Sequence, residues 1–193
     1  MNPLLEVKDV CLSYHSLSGE TAALSHISFH LMPEEFLAVV GPSGCGKSTL
    51  LNLICGLLHA ESGTILMNGK PLNKDSARIG YMLQKDHLLE WRSIYRNVLL
   101  GLEIQGELTK DNLSYADELL KLYELDKFRD SRPSQLSGGM RQRAALIRTL
   151  VLKPDLLLLD EPFSALDYQT RLNVSDDIGK ILKKQRKPAI LVT

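Results

Sequence analysis

One glycine-rich segment restricts the possible folds of this chain more than any other feature of its sequence. It reads Gly41-Pro-Ser-Gly-Cys-Gly-Lys-Ser-Thr49 and matches the pattern G-x-x-x-x-G-K-[ST]. A short apolar run at 36–40 precedes it, and leucine and isoleucine recur at helical spacing from 50 to 58. A buried strand, a glycine-rich loop and a helix in this order predict an α/β core with a parallel sheet.

The residues of this loop have the chemistry that holds a nucleoside triphosphate. Glycines let successive backbone N–H groups point into one anion-sized nest, and the helix that follows presents its positive end. Lys47 is expected to reach the β- and γ-phosphates, and the Ser48 hydroxyl is expected to bind Mg²⁺. We therefore predict a P-loop NTPase core whose nucleotide-binding residues are Gly41, Pro42, Ser43, Gly44, Cys45, Gly46, Lys47, Ser48 and Thr49.

Composition and length exclude several other classes of protein. Lysine and arginine number 23, as do aspartate and glutamate, so no excess of basic charge favours nucleic acid as a partner. No apolar run approaches the roughly 18–20 residues that cross a bilayer, and the first residues lack the pattern of a secretory signal. We expect the chain itself to be soluble and cytoplasmic. Its 193 residues suffice for a single domain with an inserted subdomain.

Hydrophobic periodicity changes along the chain and predicts its organisation. Alternation over 4–14 and 24–31 favours an antiparallel β layer, whereas helical spacing prevails from 93 to about 152. We expect one domain over 1–193, divided into an α/β core with a β layer over 1–90 and 153–193 and an inserted α-helical subdomain over 91–152.

Two adjacent carboxylates, Asp160 and Glu161, stand at the end of the predicted strand 155–160. Ligands bind at the carboxyl ends of the strands in open parallel sheets. This position suits Asp160 to hold Mg²⁺ and Glu161 to act as the base for an attacking water. The alternative is that both are solvated residues at the end of a strand.

A second glycine pair lies in Leu136-Ser-Gly-Gly-Met140, at the start of a predicted helix. The N–H groups and the dipole at such a start favour an anion, here through Ser137, Gly138 and Gly139. An ordinary Gly-Gly helix start is the alternative.

Together these motifs resemble those of the ATP-binding subunit of ABC transporters, over essentially the whole chain. The run 136–140 resembles the signature of that family, and Ser164-Ala-Leu-Asp167 resembles its D-loop. Gln84 stands where the family has its Q-loop glutamine, and Tyr14 stands where an aromatic ring stacks on adenine. Several stretches are similar to importers of the nitrate, sulfonate and taurine group.

The resemblance implies an ATPase that uses ATP and Mg²⁺. Its implied catalytic residues are Glu161, Gln84 and Lys47. The implied Mg²⁺ ligands are Ser48, Gln84 and Asp160, and the implied nucleotide contacts beyond the loop are Tyr14, Ser137, Gly138, Gly139 and Asp167. Three of these residues have other interpretations, since Tyr14 could pack at a strand edge, Gln84 could be a surface residue and Asp167 could cap the next helix.

The resemblance also implies partners. Two copies would close head to tail around two ATP molecules, with Ser137 of one copy on the γ-phosphate bound to the other. Transmembrane permease subunits would dock near Gln84 to Arg92, with Trp91 either as an anchor or packed within the helical subdomain. A substrate-binding protein would act indirectly, and the chain would lie peripherally on the cytoplasmic face of the membrane.

Two rival functions fit less well. A soluble ABC ATPase acting on nucleic acid or ribosomes would carry a long insertion or a second cassette, and this chain has neither. A small-molecule P-loop kinase is disfavoured by the signature and by Glu161.

The sequence departs from the family pattern at several positions. Glu34 and Glu35 occupy a turn where relatives usually have glycine, Glu90 stands where the subgroup often has proline, and Lys85 stands where an acid is common. The run 189–193 resembles the strand before the switch histidine of the family, and no residue here takes that role. We therefore expect this 193-residue form to bind Mg-ATP and to hydrolyse it poorly.

Overall fold

A computed structural model describes residues 2–17, 19–72, 78–162, 179 and 187–193. The chain divides into two compact units, which we describe separately. The first comprises Met1–Ile79, Asp155–Asp160 and Gln185–Thr193, and the second comprises Gly80–Pro154 and Glu161–Lys184. The helical segment predicted over 91–152 falls within the second unit.

Strands dominate the first unit and helices the second, which is the α/β composition that the sequence predicts. In chain order the elements of the described residues are β1 (Leu5–Ser16), β2 (Gly19–Leu31), β3 (Phe36–Val39), α1 (Lys47–Ile54), β4 (Ser62–Met67), β5 (Lys70–Pro71), β6 (Ile79–Met82), α2 (Ile94–Val98), α3 (Leu100–Gln105), α4 (Lys110–Leu122), α5 (Gly138–Leu150), β7 (Leu156–Asp160) and β8 (Ala189–Val192).

An antiparallel sheet forms the β layer of the first unit, with the strand order β2-β1-β4-β5. Leu5 on β1 lies opposite Leu31 on β2 and opposite Met67 on β4, and all three side chains are buried. Cross-strand apolar contacts of this kind stabilise a sheet on its buried face. The alternation in the first third of the sequence therefore reflects one buried and one solvated face.

A parallel sheet brings two parts of the nucleotide-binding motif to the same edge. β8 lies between β3 and β7 and pairs with both in parallel. Val192 is opposite Val39 on one side and opposite Asp160 on the other. β3 leads into the glycine-rich loop, and β7 ends at Asp160. The loop and Asp160 therefore both lie at the carboxyl edge of this sheet, where ligands bind in open α/β folds.

Helix α5 forms the core of the second unit. Its central residues Ala144, Ala145, Leu146 and Ile147 are almost completely buried, and α2, α3 and α4 pack against it. The helices approach closely where residues are small: a Cβ at Gly101 on α3 would lie 2.9 Å from Leu152 just beyond α5. None of the helices in the described part of the chain combines the length and the apolar character that a bilayer crossing requires.

Candidate nucleotide-binding site

The glycine-rich loop takes backbone conformations that favour glycine. Gly44 and Gly46 have φ angles of 81° and 96°, in the left-handed region. A Cβ at Gly46 would lie only 2.3 Å from the carbonyl oxygen of Ala23, so no larger residue fits there. Among the described residues no side chain caps α1 at Gly46. The positive end of this helix therefore faces the loop without a capping side chain, as anion-binding loops require.

Lys47 is held inside this loop. Its side chain is buried, and its Nζ donates hydrogen bonds to the carbonyl oxygens of Gly41 (2.7 Å) and Pro42 (3.0 Å). These bonds fix the ammonium group on the inner side of the loop. A phosphate anion in the loop would be a stronger acceptor than either neutral carbonyl.

Ser48 and Asp160 meet at the edge of the parallel sheet. The Ser48 hydroxyl donates to Asp160 Oδ1 at 3.1 Å, and Asp160 is almost buried at the end of an apolar strand. Hydroxyl and carboxylate oxygens are the donors that Mg²⁺ prefers, so this pair fits the metal. The described residues contain no cluster of three or more His, Cys, Asp or Glu side chains that could hold a metal.

Tyr14 lies beside the loop at the end of β1. Its hydroxyl is 3.2 Å from Thr49 Oγ1, and about half of its surface is exposed. The hydrogen bond ties the ring to α1, directly after the loop. The structure thus brings Tyr14 next to the phosphate-binding residues, and stacking on adenine remains a prediction.

Gln84 and Glu161 meet in the second unit. The Gln84 Nε2 donates to Glu161 Oε2 at 2.9 Å. Glu161 has a φ of 42°, a left-handed conformation that costs a non-glycine residue on the order of 1–2 kcal/mol. Backbone strain of this kind concentrates at functional sites. The chain therefore turns sharply after β7 at the residue predicted to be the catalytic base.

Ser137 is the N-cap of α5 and begins the signature. Its hydroxyl accepts a hydrogen bond from the Met140 backbone N–H at 3.4 Å, and both Ser137 and Gly138 are exposed. Because the hydroxyl acts as acceptor in the cap, its proton remains available to a phosphate oxygen. This end of α5 can therefore offer a hydroxyl and a helix dipole to an anion. Asp167, the predicted D-loop contact, lies outside the described residues.

Sequence reasoning missed a cluster that holds the segment after Gln84. Arg141 donates to both carboxylate oxygens of Asp86, at 3.0 and 3.3 Å, while Arg148 donates to the carbonyl oxygens of Asp86 (2.6 Å) and His87 (2.8 Å). Burial favours a higher pKa for Asp86, but hydrogen bonds from Arg141 and the Leu88 N–H and the two guanidinium charges outweigh it and lower the pKa below its ordinary value. The two arginines share one face of α5, but their spacing in the sequence does not identify Asp86 as their partner.

The similarity of this chain to known proteins agrees with this geometry. The family model described as ABC transporter matches residues 24–164. An uncharacterized ABC transporter ATP-binding protein of Bacillus subtilis, YtlC, is 47% identical over 98% of this chain and 73% of its own length. The taurine import ATP-binding protein TauB of Rhizobium johnstonii is 40% identical, also over 98% of this chain and 73% of its own length.

A solved structure has the same fold. It is the dimeric post-hydrolysis state of the ATP-binding cassette MJ0796 bound to ADP and Pi, with a TM-score of 0.82 and 30% sequence identity. The match covers 98% of this chain and 87% of that one, and it confirms the predicted P-loop NTPase fold class. The family match, the related ATP-binding proteins and this structural likeness together show that the chain belongs to the ABC transporter family and is an ATPase subunit of a transporter.

Proposed function

We propose that this chain powers the import of small anions such as nitrate, sulfonates or taurine, by hydrolysing ATP between two copies arranged head to tail. The contact between Ser48 and Asp160 beside the glycine-rich loop carries the proposal, because it combines phosphate-binding and metal-binding groups in one place. The relation to TauB, a taurine import ATP-binding protein, supports the class of cargo.

ATP is the substrate in this proposal, and each site residue has a stated role. Lys47 binds the β- and γ-phosphates, and Tyr14 stacks under adenine. Ser48, Asp160 and Gln84 would hold Mg²⁺, which when bound neutralises charge on the β- and γ-phosphates. Glu161 accepts a proton from the attacking water, and Gln84 orients the Glu161 carboxylate through the hydrogen bond between their side chains.

The signature residues supply the link between two copies. Ser137, Gly138 and Gly139 of one copy would touch the γ-phosphate on the other, and Asp167 would add a contact near it. A ligand shifts an equilibrium only by its difference in affinity for the two states, and these contacts exist only in the closed dimer. Hydrolysis removes the phosphate that joins the copies, so the dimer would open after each turnover.

The proposed function also implies partners at the membrane. Transmembrane permease subunits would dock on the segment Gln84 to Arg92, and a substrate-binding protein would deliver cargo to the permease. The chain would then lie peripherally on the cytoplasmic face of the membrane.

Dimerisation tests the shared site. A Glu161→Gln form that binds but does not hydrolyse ATP should be monomeric without nucleotide and dimeric with Mg-ATP, as measured by light scattering. Adding Ser137→Arg should prevent the dimer, because the new side chain would occupy the space of the γ-phosphate. Thr109→Arg is the matched control, since Thr109 caps α4 as Ser137 caps α5. A Glu161→Gln form that stays monomeric in saturating Mg-ATP would contradict the proposal.

Cargo requires a separate measurement. Cells that depend on this chain should lose uptake of labelled taurine, an aliphatic sulfonate or nitrate when it carries Glu161→Gln. The wild-type chain at equal expression is the control. If uptake of all three anions is unchanged, the proposed class of cargo is wrong even where the ATPase assignment holds.

A further inference from the structure

A cavity of 480 Å³ opens in the second unit where α2 begins. Its volume lies within the range of about 300–1,000 Å³ that is typical of ligand pockets. The residues that line it are Trp91, Arg92, Ser93, Arg96, Asp130 and Arg132. We refer to it as the arginine cavity.

The lining is strongly basic in a chain whose total charge is zero. Among the described residues, three guanidinium groups and one carboxylate, that of Asp130, line the cavity. Arg92 is paired with Glu103, whereas in the described part of the chain neither Arg96 nor Arg132 forms an ion pair through its side chain. Guanidinium groups bind carboxylates and phosphates through paired hydrogen bonds. The cavity is therefore complementary to an anionic group.

An exposed indole forms the apolar part of the same cavity. Trp91 is 72% exposed, which rules out the interpretation that it packs within the helical subdomain. Tryptophan and arginine are the residues that most often dominate the energy of protein interfaces. A small anion would leave the indole exposed, but a peptide segment would cover it. The pairing of indole and guanidinium groups thus favours a protein partner.

The wall of the cavity is held in position by a buried asparagine. Asn97 is fully buried, and its Nδ2 donates to the carbonyl oxygens of Leu89 (3.1 Å), Arg92 (3.3 Å) and Ser93 (3.0 Å). Its Oδ1 accepts from the Leu89 N–H at 2.7 Å. The backbone around Trp91 is therefore ordered before a partner arrives, which lowers the entropic cost of binding.

We propose that the arginine cavity binds a carboxylate side chain on a cytoplasmic segment of the membrane subunit, with an apolar residue of that segment against Trp91. This inference rests on the proposed function, because docking of the permease on the segment Gln84 to Arg92 brings the partner to the cavity. It adds the chemistry of recognition: Arg96 and Arg132 select the acid, and the Trp91 indole holds the segment that carries it.

The local charge can be tested on the isolated chain. Trp91 is its single tryptophan, so fluorescence quenching reports on the cavity alone. Relative to free N-acetyltryptophanamide, iodide should quench Trp91 more strongly and caesium less strongly, because the arginines attract the anion and repel the cation. Arg96→Gln with Arg132→Gln should remove this preference, and Lys127→Gln, an exposed residue that does not line the cavity, should leave it unchanged. Equal quenching by both ions on this relative scale in the wild-type chain would overturn the proposal.

Recognition is tested in the complex with the cognate membrane subunits in nanodiscs. Arg96→Glu with Arg132→Glu should weaken assembly by about tenfold or more, since truncating one partner of a buried charge pair has effects of this size. Lys127→Glu, with an equal change of charge per site, should assemble normally. An acid-to-arginine change at one position in the cytoplasmic segment of the membrane subunit should restore assembly with the variant that carries Arg96→Glu and Arg132→Glu.

In this experiment the proposal would be overturned by undiminished assembly of the variant with Arg96→Glu and Arg132→Glu, or by a loss of assembly that no acid-to-arginine change restores. Displacement of the membrane subunits by millimolar inorganic phosphate would also contradict it, since the site would then be one for a small anion. Mg-ATP dimerisation of the Glu161→Gln form, measured in parallel with and without the cavity substitutions, separates this proposal from the proposed function. It should be unaffected by them.

Discussion

Pro33 and Glu34 occupy the centre of a tight turn between β2 and β3. The Glu35 N–H donates to the Met32 carbonyl oxygen at 3.2 Å, and Glu34 has a φ of 65°. Proline at the second position and a positive φ at the third define a type II turn, in which the third residue is usually glycine. In this chain the third residue is a glutamate with a Cβ, so the turn bears a local strain.

We expect Glu34→Gly to raise the free energy of unfolding by up to about 1 kcal/mol. The substitution removes a strain on the order of 1–2 kcal/mol, and the greater freedom of glycine in the unfolded chain offsets part of the gain. Urea denaturation measures the change. Glu34→Ala is the matched control, because it removes the same side chain and keeps the Cβ that causes the strain. Equal stability of the two variants would show that the turn is not strained.

Single residues of the loop were predictable because their chemistry is local. Lys47 and Ser48 follow from a motif of nine positions beside a buried strand, and Asp160 follows from the end of another. The loop residues and Asp160 could be expected to lie close together because the carboxyl ends of parallel strands lie at the same edge of a sheet. Asn97, by contrast, was not identified, since nothing in a lone asparagine on a helix shows that its amide will hold three carbonyl groups.

Helix α5 connects two features of the second unit. Ser137 caps its start, and Arg141 and Arg148 on its length hold the segment that follows Gln84. The docking segment and the signature are therefore tied to one rigid element. A displacement of residues 86–88 would therefore move α5, because the hydrogen bonds of these arginines join the segment to the helix.

Asp86→Asn should destabilise the chain at neutral pH and have little effect in acid. The folded-state pKa of Asp86 lies below its unfolded value of about 3.9. Its contribution is therefore fully present above that unfolded value and is lost as the pH falls through the folded one. The difference in melting temperature between wild type and variant should be largest near pH 6–7 and shrink below about pH 4.

A scan of melting temperature from pH 3 to 7 measures this effect. Asp111→Asn, on an exposed position of α4, controls for the simple loss of a carboxylate. A difference between wild type and Asp86→Asn that stays constant across the range would contradict the ion pair with Arg141.

The elements themselves were predicted better than their connections. Periodicity over a few residues identified the strands and α5, because burial of one face is a local pattern. Periodicity did not show where one helix ends and the next begins: α2 and α3 are separated by a break at Leu99, where ψ is −6°. The pair Asp86 and Arg141 is separated by 55 positions, and no pattern in a single sequence reveals such a contact.

The proposed active unit is larger than one chain. Lys47 and Ser48 lie in the first unit and Ser137 in the second, and the proposal assigns the latter to the nucleotide of another copy. Spacing and periodicity do not tell which phosphate a helix start will touch. The role of Ser137 at the nucleotide of another copy is implied by the resemblance of 136–140 to the family signature. It can be tested by mixing two chains that each lack one of the two residues.

Lys47→Ala and Ser137→Ala should each strongly reduce the ATPase activity that the wild-type chain shows, and mixing the two variants should restore part of that activity. In a mixed dimer one site contains both defects, whereas the other combines the intact Lys47 of one chain with the intact Ser137 of its twin. Random pairing leaves roughly a quarter of all sites intact, because half of the dimers are mixed and each has one good site. If both residues served the nucleotide of their own chain, every site in every dimer would keep one defect. Phosphate release from a mixture at constant total protein, compared with each variant alone, measures the difference, and a mixture as inactive as its components would refute the head-to-tail arrangement.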